Sequence, residues 1–191
     1  MARILTVCTG NICRSPAAEL LLARELEGHA LVGSAGTHAM VDSPIPEEML
    51  LELRTDDIDG AAHRGRLLTE QLMKEADLII TMTREHRQRA VQIAPSALKR
   101  TFTLAELAAS AGTGAVLESA TVVERIRELP SAIAAHRYTL AGFDLDDVPD
   151  PYRRSQRAYH DSYALIRGAV RDVSLWLRGE QVDAAVADVA S

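Results

Sequence analysis

Cys8 and Arg14 stand six positions apart, separated by Thr9-Gly10-Asn11-Ile12-Cys13 and followed at once by Ser15-Pro16. A cysteine that ionises is a strong nucleophile without a separate base. A guanidinium offers a planar fork that matches two oxygens of a phosphate. Between them is room for little except backbone, so the string reads as an anion socket with a nucleophile at its floor. The anion that suits it is a phosphate monoester. A lone buried cysteine at a strand end is usually a small core residue, and Cys-x5-Arg alone is a weak signal. The combination with Gly10, Asn11, Ser15 and Pro16 is what no packing argument demands.

Two elements must hold this string. Met1 to Val7 is apolar at Ile4, Leu5 and Val7 without a turn residue, and predicts a buried strand. Ser15 predicts an N-cap and Pro16 the first helical position, followed by the helix formers Ala17 to Ala23. Glu19 is expected in the first turn, where it suits the dipole. The loop therefore lies between a strand end and a helix N-terminus, where free N–H groups converge on an anion. Gly10 is expected to take a backbone angle that other residues resist, and Asn11 to tolerate the left-handed region while its amide ties the loop. The dipole and Arg14 both favour thiolate at Cys8.

The oxygen of a phosphate monoester is a poor leaving group when its conjugate acid has a high pKa, near ~10 for a phenol. Catalysis on such an ester calls for a general acid. The acidic stretch from Phe143 to Pro151 offers Asp144, Asp146, Asp147 and Asp150. Pro151 biases Asp150 toward an extended shape, and Tyr152 offers a flat wall for an aromatic group. Asp144, Asp146 and Asp147 are read as solvated surface, which is also the default for Asp150 on the residues alone.

The string Cys8-Thr9-Gly10-Asn11-Ile12-Cys13-Arg14-Ser15-Pro16 closely resembles the phosphate loop of the low-molecular-weight protein tyrosine phosphatases. Asp150-Pro151-Tyr152 resembles that family's acid loop. The resemblance covers about 1–104 and 146–178. It implies Cys8 as nucleophile, Arg14 as the phosphoryl ligand and Asp150 as the acid that later activates water. Thr9 to Ser15 would bind phosphate, with Asn11 shaping the loop and Ser15 stabilising the leaving thiolate. Ser34 falls where the family bonds a serine to that asparagine, and His63 where a histidine often completes the network. Ile12, Met40 and Tyr152 would line the substrate cleft. Cys13 would be the redox partner of Cys8, able to form a protective disulfide. No metal or other cofactor is implied.

The remainder of the chain alternates strand and helix. Strands are expected at Ala30–Ser34, Asp77–Met82 and Lys99–Leu104. Helices are expected at Glu47–Arg54, Thr69–Ala76, Arg84–Ile93, Ala105–Ala111 and Ser155–Leu177, with one at Thr121–Ala135 interrupted by Pro130. Ser110 to Gly114 reads as a linker. This predicts a single doubly wound α/β domain over 1–178, with a four-stranded parallel sheet flanked by helices and the phosphate loop after the first strand. The segment 105–145 is longer than the family leads one to expect, and reads as a lid, a docking insertion or a helical extension. Residues 179–191 are expected to form a flexible tail.

The net charge of −6 over 191 residues argues against a nucleic-acid or membrane surface. Two cysteines and the absence of a signal-like N-terminus point to a reducing cytoplasm. The expected partner is a phosphotyrosine-containing protein, and the likeness to bacterial members suggests a bacterial tyrosine kinase. Met40, where eukaryotic members often carry a large aromatic, and Arg153, in place of a second tyrosine, leave the natural substrate open. Arg153 favours acidic neighbours of the phosphotyrosine. Relatives specific for phosphoarginine carry Thr where Ile12 stands, so Ile12 favours an aryl phosphate. Arsenate reduction on this scaffold uses a thiol relay, which a chain without a cysteine beyond Cys13 would have to draw from an external small thiol. A non-catalytic phosphopeptide-binding module would be expected to lack Cys8 or Asp150. Asp144-Leu145-Asp146-Asp147-Val148 fits an aspartate-nucleophile pattern, but only one helix follows it.

Overall fold

Apolar residues along the first strand serve two cores at once. In the computed structural model, which describes residues 1–135, 138–142 and 145–182, β1 spans Ala2–Cys8. Ala2, Ile4 and Cys8 join one buried cluster, and Leu5 and Val7 join another. That is the two-residue period of a strand buried on both faces. β2 (Ala30–Gly36), β3 (Leu78–Thr81) and β4 (Thr101–Thr103) complete a four-stranded parallel sheet in the order β2-β1-β3-β4. Cys8 pairs with Gly36 and Val7 with Thr81.

Helices cover both faces, as the alternating pattern predicts. α1 (Arg14–Glu25), α2 (Glu47–Arg54), α5 (Leu104–Gly112), α6 (Val122–Ala135) and α7 (Gln156–Arg178) contribute to the larger cluster. α3 (Glu70–Glu75) and α4 (Arg84–Ile93) supply Met73 and Ala90 to the smaller one. On α7, Tyr159, Tyr163, Ile166, Val170, Val173 and Leu177 are buried on one stripe. Each such side chain contributes about 1.5–3 kcal/mol of transfer free energy. Thr69, Thr83, Thr103 and Ser155 cap α3, α4, α5 and α7 through their side chains, at about 1 kcal/mol each. Gly179, at φ 75°, closes α7 with its N–H on the Trp176 carbonyl.

The chain leaves β1 through α1 toward β2, and leaves β3 through α4 toward β4. The strand order therefore reverses between β1 and β3, and a crevice opens at their carboxyl ends. Cys8 ends β1 at that crevice.

Several local expectations are corrected. α1 begins at Arg14 rather than after a Ser15 cap, and Cys13 occupies the cap position without a side-chain cap bond. The Ser15 hydroxyl is engaged instead by the phosphate loop. Glu19 consequently lies beyond the first turn. Gly10 does not take a positive φ, whereas Asn11 does, at 55°. β4 is shorter than Lys99–Leu104 because Pro95–Arg100 winds as a 3-10 helix up to its first residue. Ser110 is buried inside α5 rather than in a surface linker. Pro130 does not interrupt α6, whose Val122, Ile126, Leu129 and Ile133 are buried along one face. Within 105–145, the buried side chains of α5 and α6 share a core with α7. Phe143 and Asp144 of the acidic stretch, and 183–191 of the expected tail, lie outside the described residues.

Candidate active site

The loop from Cys8 to Arg14 folds around the Asn11 side chain, which is fully buried. Asn11 Nδ2 donates to Ser34 Oγ at 2.7 Å and to Ser15 Oγ at 3.0 Å. Its Oδ1 accepts the Arg66 N–H at 2.9 Å, and its carbonyl accepts His63 Nε2–H at 2.8 Å. Three elements thus converge on one amide. These bonds hold Asn11 in the left-handed region, which asparagine tolerates better than other non-glycine residues.

Cys8 Sγ lies 2.9 Å from Ser15 Oγ and accepts the Asn11 N–H at 3.3 Å. Among the described residues, the N–H groups of Thr9, Gly10, Ile12 and Cys13 have no backbone carbonyl as acceptor. Free amides at the positive end of α1 form an anion-binding concavity. Gly36 makes the loop's close approach to β2 possible, because a Cβ there would lie 2.5 Å from the Thr9 carbonyl oxygen. Gly65 does the same beneath Met40, whose carbonyl oxygen would be 2.4 Å from an added Cβ.

Arg14 is buried, with its guanidinium directed at the acid loop. It donates to the Val148 carbonyl at 3.1 Å and to Asp150 Oδ2 at 2.7 Å. Asp150 is itself about half exposed, its side chain at 48%, and its Oδ1 accepts the Tyr152 N–H at 3.2 Å. A cavity of about 220 Å³ joins these groups: Cys8, Arg14 and Asp150 line it together with Ile12, Met40 and Tyr152. Arg153 stacks on the Tyr152 ring, 5.2 Å from its centroid, with φ at 58°.

Some contributors have no local sequence signal. Glu19 accepts from the Ser34 hydroxyl and lies 3.7 Å from His63 Nδ1. It stands one helical turn after Ser15, and that spacing is the only hint available. Arg66 also donates through Nε to the Ser34 carbonyl at 2.7 Å. Asp147, expected as solvated surface, accepts the Arg84 N–H at 2.7 Å and so pins the acid loop to the start of α4. His86 Nε2 lies 2.8 Å from Thr9 Oγ1. Burial, and behind it the Arg14 charge, pull the His86 imidazole down to about 4. Cys13 is a free, buried thiol, pushed up to about 12 by burial and then by Cys8 and Asp150.

Cys8, the buried Arg14 guanidinium, the facing Asp150 carboxylate and loop amides without a backbone acceptor among the described residues surround one cavity, an arrangement suited to holding an oxyanion beside a thiol. Residues 3–118 match the family described as low molecular weight phosphotyrosine protein phosphatase. The Etp low molecular weight protein-tyrosine-phosphatase of Escherichia coli K12 is 31% identical over 88% of this chain and 90% of its own length. The Wzb protein of Salmonella typhi is 28% identical over 94% and 96%. Among solved structures, Vibrio vulnificus Wzb in complex with benzylphosphonate superposes with a TM-score of 0.68 at 27% identity, covering 91% of this chain and 97% of that one. The YwlE arginine phosphatase of Geobacillus stearothermophilus gives 0.67 at 25%, covering 91% of each. The chain belongs to the low-molecular-weight protein tyrosine phosphatase family, and is an enzyme of that family.

Proposed function

We propose that the protein hydrolyses phosphotyrosine in proteins through a cysteinyl-phosphate. Cys8 attacks phosphorus in line with the tyrosyl oxygen. Arg14 and the loop amides from Thr9 to Ser15 hold the equatorial oxygens, and Asp150 protonates the departing phenolate. Asp150 then takes a proton from water as it attacks the cysteinyl-phosphate, and the Ser15 hydroxyl stabilises the thiolate that leaves. Asn11, Ser34 and His63 keep the loop in shape. The observation that carries the reading is Cys8 and Asp150 lining one cavity, with Arg14 bonded to the acid.

Ile12, Met40 and Tyr152 give that cavity an apolar side, which suits an aryl ester better than a phosphoguanidine. The Arg153 guanidinium on Tyr152, with exposed Arg154 beside it, favours substrates with acidic residues near the phosphotyrosine. The likeness to bacterial members makes a bacterial tyrosine kinase the expected partner class, and a reducing cytoplasm is the compartment that suits two free thiols. When a peroxide converts Cys8 to the sulfenic acid, Cys13 can displace water and form the protective disulfide. The domain comprises 1–178.

Turnover of p-nitrophenyl phosphate in EDTA by the wild type, Cys8→Ser and Asp150→Ala tests the reading. Loss of turnover in Cys8→Ser and impairment in Asp150→Ala are expected. Undiminished turnover in Cys8→Ser would sink the mechanism. Arsenate-dependent oxidation of an added thiol without phosphatase turnover would favour a reductase.

A further inference from the structure

We propose that His86 is a positioning residue for the phosphate loop, acting through the side chain of Thr9. The inference rests on the phosphatase reading of that loop. His86 is only 5% exposed, an unusual place for an imidazole without a task. Its Nε2 faces Thr9 Oγ1 at 2.8 Å, across 77 residues of sequence. Its Nδ1 is buried with no hydrogen-bond partner among the described residues. A buried N–H without an acceptor costs more than a bare ring lone pair. The tautomer is therefore Nε2–H, donating to Thr9 Oγ1. Arg14, Asp150 and Asp147 are the charges around the ring, and with burial dominating the imidazole is held down to about 4, hence neutral during turnover near neutral pH.

Thr9 directly follows the nucleophile and lines the cavity that holds it. Its carbonyl accepts the His38 N–H at 3.0 Å, from the turn after β2. His86 supplies the second anchor, from α4. The His86 backbone is fixed in turn by the Thr83 hydroxyl, which accepts its N–H at 3.1 Å. The same corner of the chain grips the acid loop: the Met82 carbonyl accepts the Val148 N–H at 2.9 Å, and the Arg84 N–H donates to Asp147. One rigid β3–α4 junction thus registers the loop carrying the nucleophile against the loop carrying the acid. His86 is the link on the nucleophile's side. Without it, Thr9 and the amides beside it lose one of two fixed points, and anion binding weakens.

The test measures kcat and KM for p-nitrophenyl phosphate and the inhibition constant of inorganic phosphate in the wild type, His86→Ala, His86→Gln, Thr9→Val and the double variant His86→Ala/Thr9→Val. One lost hydrogen bond is worth roughly five- to tenfold in an equilibrium constant. His86→Ala and Thr9→Val should each raise the phosphate inhibition constant and KM by about that factor, with the double variant no worse than either. His86→Gln, whose amide N–H can reach the hydroxyl, should restore most of the loss. Additive effects in the double variant, an unchanged inhibition constant in Thr9→Val, or a Gln variant with no gain over the wild-type-to-Thr9→Val loss each overturn the proposal. If His86→Ala does not fold, Thr9→Val and His86→Gln still decide between the two outcomes. Absent wild-type turnover fails the phosphatase reading instead, whereas normal wild-type turnover with indifferent variants fails only the role of His86.

Discussion

The Asp150 carboxylate accepts a 2.7 Å bond from the Arg14 guanidinium, joining residues 136 positions apart in the chain. The other guanidinium nitrogen donates to the Val148 carbonyl at 3.1 Å. Arg14 therefore both supplies the cation of the loop proposed to bind phosphate and tethers the segment that carries Asp150. Arg14→Lys keeps the charge but cannot make the two-point grip. It should lower kcat/KM by about 10²–10³-fold, the usual cost of one oxyanion donor. Steady-state kinetics on p-nitrophenyl phosphate check this, and a loss below about tenfold would count against the dual role.

The acid role proposed for Asp150 predicts a dependence on the leaving group. Asp150→Ala should lower kcat by about 10²–10⁴-fold on a phosphotyrosine peptide, whose phenol has a pKa near ~10. The loss should shrink, without vanishing, on p-nitrophenyl phosphate, whose more acidic phenol leaves more readily and needs the acid less. Equal losses on both substrates would remove Asp150 from the proton transfer.

Asn11 carries the loop on side-chain bonds to Ser15, Ser34 and Arg66 at a φ of 55°. Asn11→Ala should cost about 2–4 kcal/mol, from unpaired buried partners and backbone strain together. Asn11→Gly should recover about 1 kcal/mol of that by relieving the strain alone. Urea midpoints measure both, and identical midpoints would show that the left-handed backbone is not costly here.

His86 makes stability depend on pH with a definite sign. Its folded-state value near 4 lies below the ordinary imidazole value of 6.5. As pH falls from 6.5 toward 4, the unfolded chain takes up a proton that the folded protein refuses, so stability falls across that window. The loss attributable to this residue is at most about 3 kcal/mol. His86→Gln should flatten that part of the profile, read as the difference in urea midpoint between about pH 7 and about pH 4.5. A wild-type profile no steeper than the variant's would contradict it.

The two thiols should also differ in reactivity. Cys13, buried and pushed up to about 12, carries almost no thiolate near neutral pH. Iodoacetate should label Cys8 alone, with inorganic phosphate protecting it. Mass spectrometry of the native protein reads this directly, and labelling of Cys13 before denaturation would contradict it.

The nucleophile loop of the proposed reaction centre was legible because its parts are local. Cys8 to Ser15 is one continuous string whose residue types serve a single purpose, whereas Asp150, by itself one more carboxylate of an acidic stretch, was singled out by the likeness of Asp150-Pro151-Tyr152 to the family's acid loop. The doubly wound sheet was legible because hydrophobic periodicity and turn residues are also local. What joins these parts is not. Glu19, Arg66, Asp147 and His86 reach the site through single side-chain bonds from separate elements, and one sequence carries no record of such pairings. Tertiary contacts also overrode local preference. Ser15 would cap α1 by propensity, yet its hydroxyl is committed to Cys8 and Asn11, so the helix starts at Arg14. Asn11 takes the left-handed angle its residue type tolerates, held there by its buried amide bonds, whereas Gly10 stays out of that region. The residue types of Cys8, Arg14 and Asp150 carry the chemistry proposed for them. Only the packing of β1, β3, α1 and α4 around one crevice brought the acid onto the guanidinium and set the loop that holds both.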